Sequence, residues 1–546
     1  METITIALVL LLAVVVSGAV TRMMPFPAPL PLVQIATGAL IGSMAELHVV
    51  LQPDIFFLLF LPPLLFLDGW RIPKHGFFRD IGTILELALG LVLFTVIGMG
   101  FFIHWMIPAM PLPVAFALAA ILSPTDPIAV SALAKRVPMP KRMMHILEGE
   151  SLLNDASGLV CMRFAVAAAL SGSFSVVDAF GTFLWLAIGG IAIGIGVTWS
   201  VVRLKDAITV RWGEDTGAQI LISLLIPFGA YLAAEHAHCS GILAAVAAGI
   251  TMSFSESTGN ALAVTRVRRS AVWDTVQLGA NGVIFVLLGE QLPGLFLRAG
   301  DAVRESGNHD PAWLLVYVLA IVVGLGVLRF VWVWISLRFT LFREARKGSK
   351  IVNPGWRAVA VVSLAGVRGA ITLAGILTLP FVMNDGTMFP ARDLAIFLAA
   401  GVIITSLVLA SLFLPFLLKG VSLPDEPQVL ERLDRARVRA AEAAILAIGA
   451  AQNRLAKDAD SEALSSDVAT RIMDIYRIRI SALNEPGETA DAFRRDSAME
   501  RELRLAGLQA ERTEIFRLMR HRELDDQDGR RLVREIDLAE ARYGVS

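Results

Sequence analysis

Cysteine and charge are both scarce in this 546-residue chain. The two cysteines, Cys161 and Cys239, fall in apolar stretches, which excludes a disulfide framework or a cysteine-based zinc site. Charged residues make up only 18% of the chain and hydrophobic residues 55%, a balance that soluble globular proteins do not have. The formal net charge of −1 lacks the basic excess of a nucleic-acid-binding protein. We therefore predict a membrane protein without a nucleic-acid partner.

Signatures of processing and of intramembrane catalysis are also missing. No His-Glu-x-x-His zinc helix occurs in the sequence. The chain opens directly into an apolar stretch, without the basic segment and small-residue cleavage site of a secretory signal, so we expect a retained first helix. These absences predict a protein that is not an enzyme and that needs no cofactor.

Apolar runs long enough to cross a bilayer, about 20 residues each, recur along the first 420 residues. They lie near 3–20, 28–45, 49–68, 81–107, 111–134, 145–171, 176–202, 216–236, 239–256, 271–297, 311–337, 357–382 and 393–418. Lysine and arginine accumulate in cytoplasmic loops, and alternate loops hold nearly all of them, while the other loops hold only Arg298, Arg304 and Arg392. The pattern predicts thirteen transmembrane helices, with the N-terminus outside and the C-terminus in the cytoplasm.

The composition changes abruptly after Lys419. Roughly half of the charged residues of the chain lie beyond this point, in segments that alternate apolar and charged residues at helical spacing. We predict a membrane domain over residues 1–420 and a soluble helical domain over residues 421–546. Two interpretations of the soluble domain stay open: a helical bundle that aids folding or dimer contact, and a regulatory domain.

Two prolines bracket Thr125 and Asp126 in the middle of the fifth apolar run. Proline removes a backbone donor and clashes with the carbonyl four residues earlier, so two of them within four positions should break the helix. Unwound backbone at membrane depth is tolerated only inside protein or beside a wet cavity. Freed carbonyls and Thr125 could coordinate a cation, while Asp126 could balance a helix end; a kink that Asp126 merely caps is the alternative.

The sixth run carries two carboxylates, and each costs roughly 2.5–3.5 kcal/mol at the centre of a membrane helix. Ser151 and Asp155 are four residues apart and share a helix face, as do Glu150 and Asn154. Glu150 and Asp155 point about 140° apart, so they cannot serve one site together. We predict that Asp155 faces a hydrated cavity as the ion carrier and that Glu150 needs a cationic partner.

Three arginines in apolar runs are candidates for that partner: Arg163, Arg329 and Arg368. Arg163 lies about 12 Å beyond Asp155 on the same helix, too far to pair with either carboxylate. Arg368 stands between two glycines, which weaken a helix and let another backbone approach. With the proline-bracketed segment, this makes two interrupted spans in the two halves of the chain, the pattern of an inverted-repeat transporter with its site at the midplane.

Four motifs, in their order and spacing, resemble the monovalent cation:proton antiporter-1 family of sodium/proton exchangers. They are Leu-Pro-Pro-Leu-Leu-Phe at 61–66, Ser-Pro-Thr-Asp-Pro at 123–127, Glu-Gly-Glu-Ser-Leu-Leu-Asn-Asp at 148–155 and Gly-Val-Arg-Gly-Ala at 366–370. The resemblance implies thirteen helices in two inverted repeats, a core domain that moves against a dimerisation domain, and a homodimer in the inner membrane of a bacterium.

The resemblance also implies roles for individual residues. Na⁺ would bind at Asp155, Asp126, Ser151 and Thr125, with Asp155 taking either the cation or a proton, and Asn154 would steady the unwound crossing. Glu150 would pair with Arg329, and Arg368 would be the arginine of the second broken helix. Many relatives place a glutamate after the phenylalanine of the first motif, where this chain has Leu67 and offers Asp68 one position later. Arg163, Glu86, Glu235 and Glu290 also lie in apolar runs, outside every motif.

A carboxylate that binds a proton or a cation, but not both, couples the two fluxes by competition, because an empty buried charge is costly to move across the membrane. The neutral Asn154, where some exchangers carry a second aspartate, implies one cation for one proton. The predicted function is electroneutral exchange of Na⁺, with Li⁺ as a second candidate cation, for H⁺ in pH and sodium homeostasis. A K⁺/H⁺ antiporter would share every motif because ion preference depends on cavity geometry, and a cation channel is a weaker alternative from another class.

Overall fold

The computed structural model describes residues 2–25, 28–44, 53–126, 141–171, 176–256, 262–297, 303–304, 310, 312–346, 355–383, 385–418, 427–455, 459–484, 488–521 and 523–544. Regular structure in these residues is helical, apart from one isolated bridge between Val382 and Met388. The chain separates into two compact units, Met1–Leu423 and Pro424–Ser546.

The first unit is built from apolar helices. Their bounds are α1 Glu2–Met23, α2 Leu30–Met44, α3 Pro53–Arg71, α4 Lys74–Arg79, α5 Ile81–Met106, α6 Leu112–Leu122, α7 Lys141–Ser171, α8 Val176–Trp212, α9 Thr216–His236, α10 Gly241–Glu256, α11 Ala263–Leu297, α12 Ala312–Arg346, α13 Gly355–Leu364, α14 Ala370–Leu377 and α15 Arg392–Leu418. Within the described residues, eight of these helices are long and apolar enough to cross a membrane: α1, α5, α7, α8, α9, α11, α12 and α15. A helix satisfies its own backbone hydrogen bonds, which a bilayer demands.

Several helices continue beyond the spans predicted from hydropathy. Helix α8 runs ten residues past the predicted end at 202, α12 runs to Arg346 and α11 begins at Ala263 instead of 271. Basic residues assigned to loops therefore lie on helix ends. Lysine and arginine are good helix formers, so a helix continues past its apolar segment. Hydropathy marks only the apolar part of the helix.

The described residues contain a helix end at the first predicted break and a complete interruption at the second. Helix α6 ends at Leu122, and residues 123–126 are not helical. The rest of the predicted fifth span, which includes Pro127, lies outside the described residues. Helix α13 ends at Leu364 and α14 starts at Ala370, with a non-helical connection over 365–369.

Glycines let some helices touch backbone to backbone. A Cβ atom on Gly38 of α2 would lie 2.0 Å from the carbonyl oxygen of Val286 on α11, and one on Gly289 would lie 2.0 Å from the carbonyl oxygen of Ile35. Helices α3 and α10 meet in the same way, with Gly249 against the Phe66 carbonyl. Small residues at such positions drive close helix packing in membranes, so α2 with α11 and α3 with α10 form tight pairs.

The second unit is a charged helical domain. Its helices are α16 Pro427–Leu455, α17 Ala459–Asn484, α18 Glu488–Arg520 and α19 Asp526–Gly544. They bury small and aliphatic residues such as Ala441, Ala469 and Ile536. Arg512 on α18 pairs with Asp537 on α19 at 3.1 Å and with Glu540.

Candidate functional site

The non-helical parts of the two interrupted helices meet inside the first unit. The backbone nitrogen of Asp126 donates a hydrogen bond to the carbonyl oxygen of Val367 at 2.7 Å. Gly369 packs directly on the Asp126 side chain, because a Cβ at this position would lie 1.9 Å from Asp126 Oδ2. The crossing therefore brings residue 126 of one half of the chain against residues 367–369 of the other, and only glycine leaves room for that carboxylate.

Arg368 caps the C-terminal end of α6. Its Nε donates to the carbonyl oxygen of Leu122, the last residue of α6, at 2.9 Å, and its guanidinium also contacts the Gly366 carbonyl. The Arg368 backbone nitrogen donates to Ser406 Oγ on α15 at 3.3 Å. Terminal carbonyls of a helix carry partial negative charge and lack partners within the helix. The buried guanidinium supplies both a donor and a positive charge to that end.

Glu150 on α7 forms a two-pronged ion pair with Arg329 on α12. The guanidinium Nη1 and Nη2 atoms donate to Oε1 and Oε2 at 2.5 and 2.7 Å, and the two side chains are only 1% and 3% exposed. Arg329 Nε also donates to the Val362 carbonyl on α13 at 3.1 Å. Gly366 allows the approach, since a Cβ there would lie 2.8 Å from Arg329 Nε. Of the three candidate arginines, the structure places Arg329 on Glu150.

Asn154 connects this ion pair to the unwound segment. Its Nδ2 donates to Thr125 Oγ1 at 3.1 Å and, more weakly, to Glu150 Oε1 at 3.5 Å. Thr125 Oγ1 lies 3.4 Å from Glu150 Oε1. The residues on the Glu150 face of α7 thus hold the backbone break of the other helix through side-chain hydrogen bonds, which is the geometry a steadying role for Asn154 requires.

A cavity of about 30 Å³ opens beside the crossing. It is lined by Leu64, Asp68, Pro124, Thr125, Asp126, Ser151, Asp155, Asn281, Gly369, Ile371 and Thr372. A cavity needs roughly 10–15 Å³ to hold one water molecule, so this one accepts a small dehydrated cation or one or two waters. Three carboxylates, three hydroxyls and one amide border it, all of them oxygen-bearing groups of the kind that hard cations select.

Asp155 lines this cavity, and its surroundings are unlike those of Glu150. It is 5% exposed, and no hydrogen bond or ion pair joins its carboxylate to another residue in the described part of the chain. An unpaired buried carboxylate costs several kcal/mol, and proteins neutralise it with a proton or a cation. Ser151, on the same face of α7, lines the cavity with it.

Asp68 reaches the cavity even though it stands one position after the expected glutamate. The face of α3 that it shares with Leu64 is turned toward the crossing, an orientation that packing of α3 on α10 sets and residue counting did not anticipate. Sequence reasoning missed Asn281 and Thr372. Asn281 is a lone amide in an otherwise apolar part of the tenth run, and Thr372 follows the Gly-Val-Arg-Gly-Ala motif by two residues.

The remaining charges of the apolar runs lie outside the cavity lining. Arg163 and Glu235 face each other at 3.6 Å, with 49% and 35% of their side chains exposed. Gln291 Nε2 donates to Glu290 Oε2 at 2.6 Å. Glu86 begins a π-helical turn over Glu86–Leu91 in α5.

The chain matches a family model described as sodium/hydrogen exchanger, transmembrane, over residues 7–420. A protein of Escherichia coli K12 named as an uncharacterized Na⁺/H⁺ exchanger, YjcE, is 41% identical over 99% of this chain and 99% of its own length. A sodium, potassium, lithium and rubidium/H⁺ antiporter of Bacillus pumilus is 38% identical over 100% of this chain and 79% of its own length. The solved structure of the sodium proton antiporter MjNhaP1 from Methanocaldococcus jannaschii at pH 8 has the same fold, with a TM-score of 0.57 at 19% identity over 77% of this chain and 99% of that one.

Proposed function

The chain belongs to the transmembrane sodium/hydrogen exchanger family of antiporters, and from that premise we propose that it exchanges Na⁺ for H⁺ at Asp155 by alternating access. One observation carries the proposal. Asp155 is a buried carboxylate without a partner among the described residues, and it borders a cavity that accepts about one small cation beside two interrupted helices. A proton or a cation must satisfy it, and it cannot hold both.

Competition for Asp155 then couples the two fluxes. Na⁺ binds the Asp155 carboxylate with help from Asp126, Ser151 and Thr125, which line the same cavity. Loss of Na⁺ leaves a buried negative charge, which a proton removes. Because the empty charged form is costly to carry through a low-dielectric barrier, only the two loaded forms cross, and each crossing moves one ion.

The contacts support a division of the membrane unit into two rigid groups. Buried polar contacts tie α6, α7, α12, α13 and α15 together through the Glu150–Arg329 pair and through Arg368. Close backbone packing at glycines ties α2 to α11 and α3 to α10. The cavity is lined from both groups, since Asp155 belongs to the first and Asp68 and Asn281 to the second. Relative movement of two internally rigid groups would open it to one side and then to the other.

The finer features of this proposal rest on the run lengths, the loop charges and the family resemblance. They are thirteen spans in two inverted repeats, an outside N-terminus and a cytoplasmic C-terminus in the plasma membrane, a homodimer, and a role in pH and sodium homeostasis. Exchange is electroneutral in this proposal because Glu150 is neutralised by Arg329, Asn154 carries no charge, and Asp68 and Asp126 keep one protonation state through the cycle, so that Asp155 alone alternates between one proton and one cation.

A broader cation range is the second candidate function. The Bacillus pumilus relative is named for transport of sodium, potassium, lithium and rubidium, and its alignment covers the whole of this chain. The cavity lining offers oxygen ligands to any of these ions. A K⁺/H⁺ exchange activity at the same site is therefore tested together with Na⁺/H⁺ exchange.

The test is exchange in proteoliposomes that contain a pH-sensitive dye, with Na⁺, Li⁺ and K⁺ offered separately. We expect Na⁺-driven proton movement by the unmodified protein and none by Asp155→Asn, which keeps the shape of the side chain and removes its charge. Asp393→Asn is the matched control, because Asp393 has a half-exposed side chain at the start of α15, outside the cavity lining. Full activity of a correctly folded Asp155→Asn variant would refute the mechanism, and a rate that follows an imposed membrane voltage would refute electroneutrality.

A further inference from the structure

We propose that Asn281 is a selectivity-determining ligand of the transported cation, contributing a neutral oxygen from α11. This inference rests on the proposed exchange at Asp155. It assigns a specific task to a residue that lies in none of the four sequence motifs, on a helix that takes no part in the crossing.

The Asn281 amide lies at the cavity and has no hydrogen-bond partner among the described residues. The residue is only 9% exposed. No hydrogen bond joins its amide to another side chain or backbone group of the described residues. A buried amide without a partner costs about 1–3 kcal/mol. Such a group persists in a membrane helix when something that enters the cavity satisfies it.

The position of Asn281 is set by tight packing on the other side of α11. A Cβ atom on the next residue, Gly282, would lie 2.5 Å from a Val14 methyl group and 2.9 Å from Gln34 Nε2. About two turns further along α11, Gly289 contacts the Ile35 backbone. Successive helical residues point about 100° apart. Because Gly282 holds this side of α11 against α1 and α2, the Asn281 amide is directed to the cavity and has little freedom to leave it.

The chemistry of an amide suits this place. The cavity already has the carboxylates of Asp68, Asp126 and Asp155, so a further acid would add charge that one monovalent cation could not balance. An amide oxygen adds a coordination position without charge, and it replaces a water molecule that a cavity of about 30 Å³ cannot also hold. The same oxygen can accept a hydrogen bond from a protonated carboxyl when the site carries H⁺.

Ion preference follows from where this ligand is held. Small cations need oxygen ligands at short distance to replace their hydration, whereas larger cations tolerate a longer contact or a missing ligand. A ligand that is fixed by backbone packing on α11 favours ions that match its position. Loss of the amide oxygen should therefore weaken Na⁺ and Li⁺ more than K⁺.

The experiment compares Asn281→Leu, which keeps the side-chain volume and removes the oxygen, with Asn281→Asp, which keeps an oxygen in place. Exchange in proteoliposomes at fixed pH gives KM and maximal rate for Na⁺, Li⁺ and K⁺ separately, and the shift in melting temperature with each cation in detergent reports binding without transport. For Asn281→Leu we expect KM for Na⁺ to rise about tenfold, a smaller rise for K⁺, and a maximal rate within about threefold of the unmodified protein. Asn281→Asp keeps an oxygen but adds a fourth carboxylate to the cavity, so its KM for Na⁺ should rise less than that of Asn281→Leu.

Gly279→Ala serves as the control on the same helix, because nothing lies within 4 Å of a Cβ at that position, and it should leave all values unchanged. An unchanged KM and unchanged cation preference in Asn281→Leu, or a lower maximal rate at unchanged KM, would overturn the role of Asn281 while exchange by the unmodified protein stands. If Asn281→Leu is not recovered folded, Asn281→Ala is measured in the same way. Absence of exchange by the unmodified protein would instead overturn the proposed function, and this inference with it.

Discussion

Glu150 and Asp155 lie five positions apart on one helix and differ in their bonding partners. Glu150 is bound on both oxygens by a buried guanidinium, while the Asp155 carboxylate has no partner among the described residues. A buried carboxylate that is paired with a counter-charge stays ionised, whereas an unpaired one must take up a proton or a cation. The same carboxylate chemistry thus gives a structural charge at Glu150 and, in the proposed mechanism, an exchangeable one at Asp155.

Removing one member of the Glu150–Arg329 pair should be strongly destabilising. Glu150→Gln leaves the Arg329 guanidinium buried without its counter-charge, a loss of about 3–5 kcal/mol of folding free energy. Glu235→Gln is the matched control, because the Arg163–Glu235 pair is partly exposed at 3.6 Å, and such pairs contribute below about 1 kcal/mol. Thermal unfolding in detergent measures both variants. Equal changes in the two would contradict the structural role of the buried pair.

At the scale of elements, the site is built from helix ends inside the membrane unit, where the free backbone groups of a helix end need partners within the protein. Helix α6 ends at Leu122, whose carbonyl oxygen accepts a hydrogen bond from the Arg368 side chain. Between α13 and α14, the carbonyl oxygen of Val367 accepts one from the backbone nitrogen of Asp126. Each broken helix thereby satisfies polar groups of the other. This reciprocity explains why both interruptions are tolerated at one place, since unpaired backbone groups inside a membrane protein cost several kcal/mol each.

The crossing leaves no room for a side chain at Gly369. We expect Gly369→Ala to lower the exchange rate at least about tenfold, because its Cβ would overlap the Asp126 carboxylate at 1.9 Å and displace one wall of the cavity by an amount that costs about 1–3 kcal/mol. Gly375→Ala, on helix α14 directly after Gly369, is the control. Its nearest neighbour is the flexible end of Leu159 at 3.2 Å, so its rate should fall much less. The measurement is dye-reported exchange at equal protein density, and similar losses in the two variants would count against a specific contact at the crossing.

At the scale of the whole molecule, the two units have surfaces of different composition. The first unit exposes large apolar side chains over its outer surface, such as Leu12 on α1, Ile188 on α8 and Val323 on α12, and an apolar surface of this extent belongs in a bilayer. The second unit is charged along all its helices. Each unit contains buried residues of its own.

The division of the chain into two compact units predicts the result of a truncation. A chain that ends at Leu423 should fold and exchange cations at a maximal rate within about twofold of the full chain, because a unit with its own core can fold alone. Proteoliposome exchange as a function of pH measures it. A shift of the pH profile with an unchanged maximal rate would favour a regulatory second unit over one that aids folding or dimer contact. Failure of the truncated chain to insert and fold would contradict the independence of the units.

Local patterns determined much of this protein before any fold was known. Apolar run length placed the helices, proline and glycine marked the two interruptions, and helical spacing separated the Glu150 face from the Asp155 face. Each of these depends on the geometry of a few neighbouring residues, which sequence carries directly. The helix ends were less accurate, because lysine and arginine continue a helix after its apolar part has ended.

Tertiary structure decided what meets across the chain. Spacing alone left Arg329 and Arg368 as partners of Glu150, family resemblance favoured Arg329, and the fold brings that residue across 179 positions onto both carboxylate oxygens. The turning of Asp68 and Asn281 toward the cavity depends on how α3 and α11 rotate when their glycines pack against neighbouring backbones. Helix rotation is set by long-range packing, and no local pattern encodes it. The sequence by itself therefore determined which carboxylate is the candidate carrier and where the helix breaks are expected, while the folded packing of distant helices decided which other groups surround them.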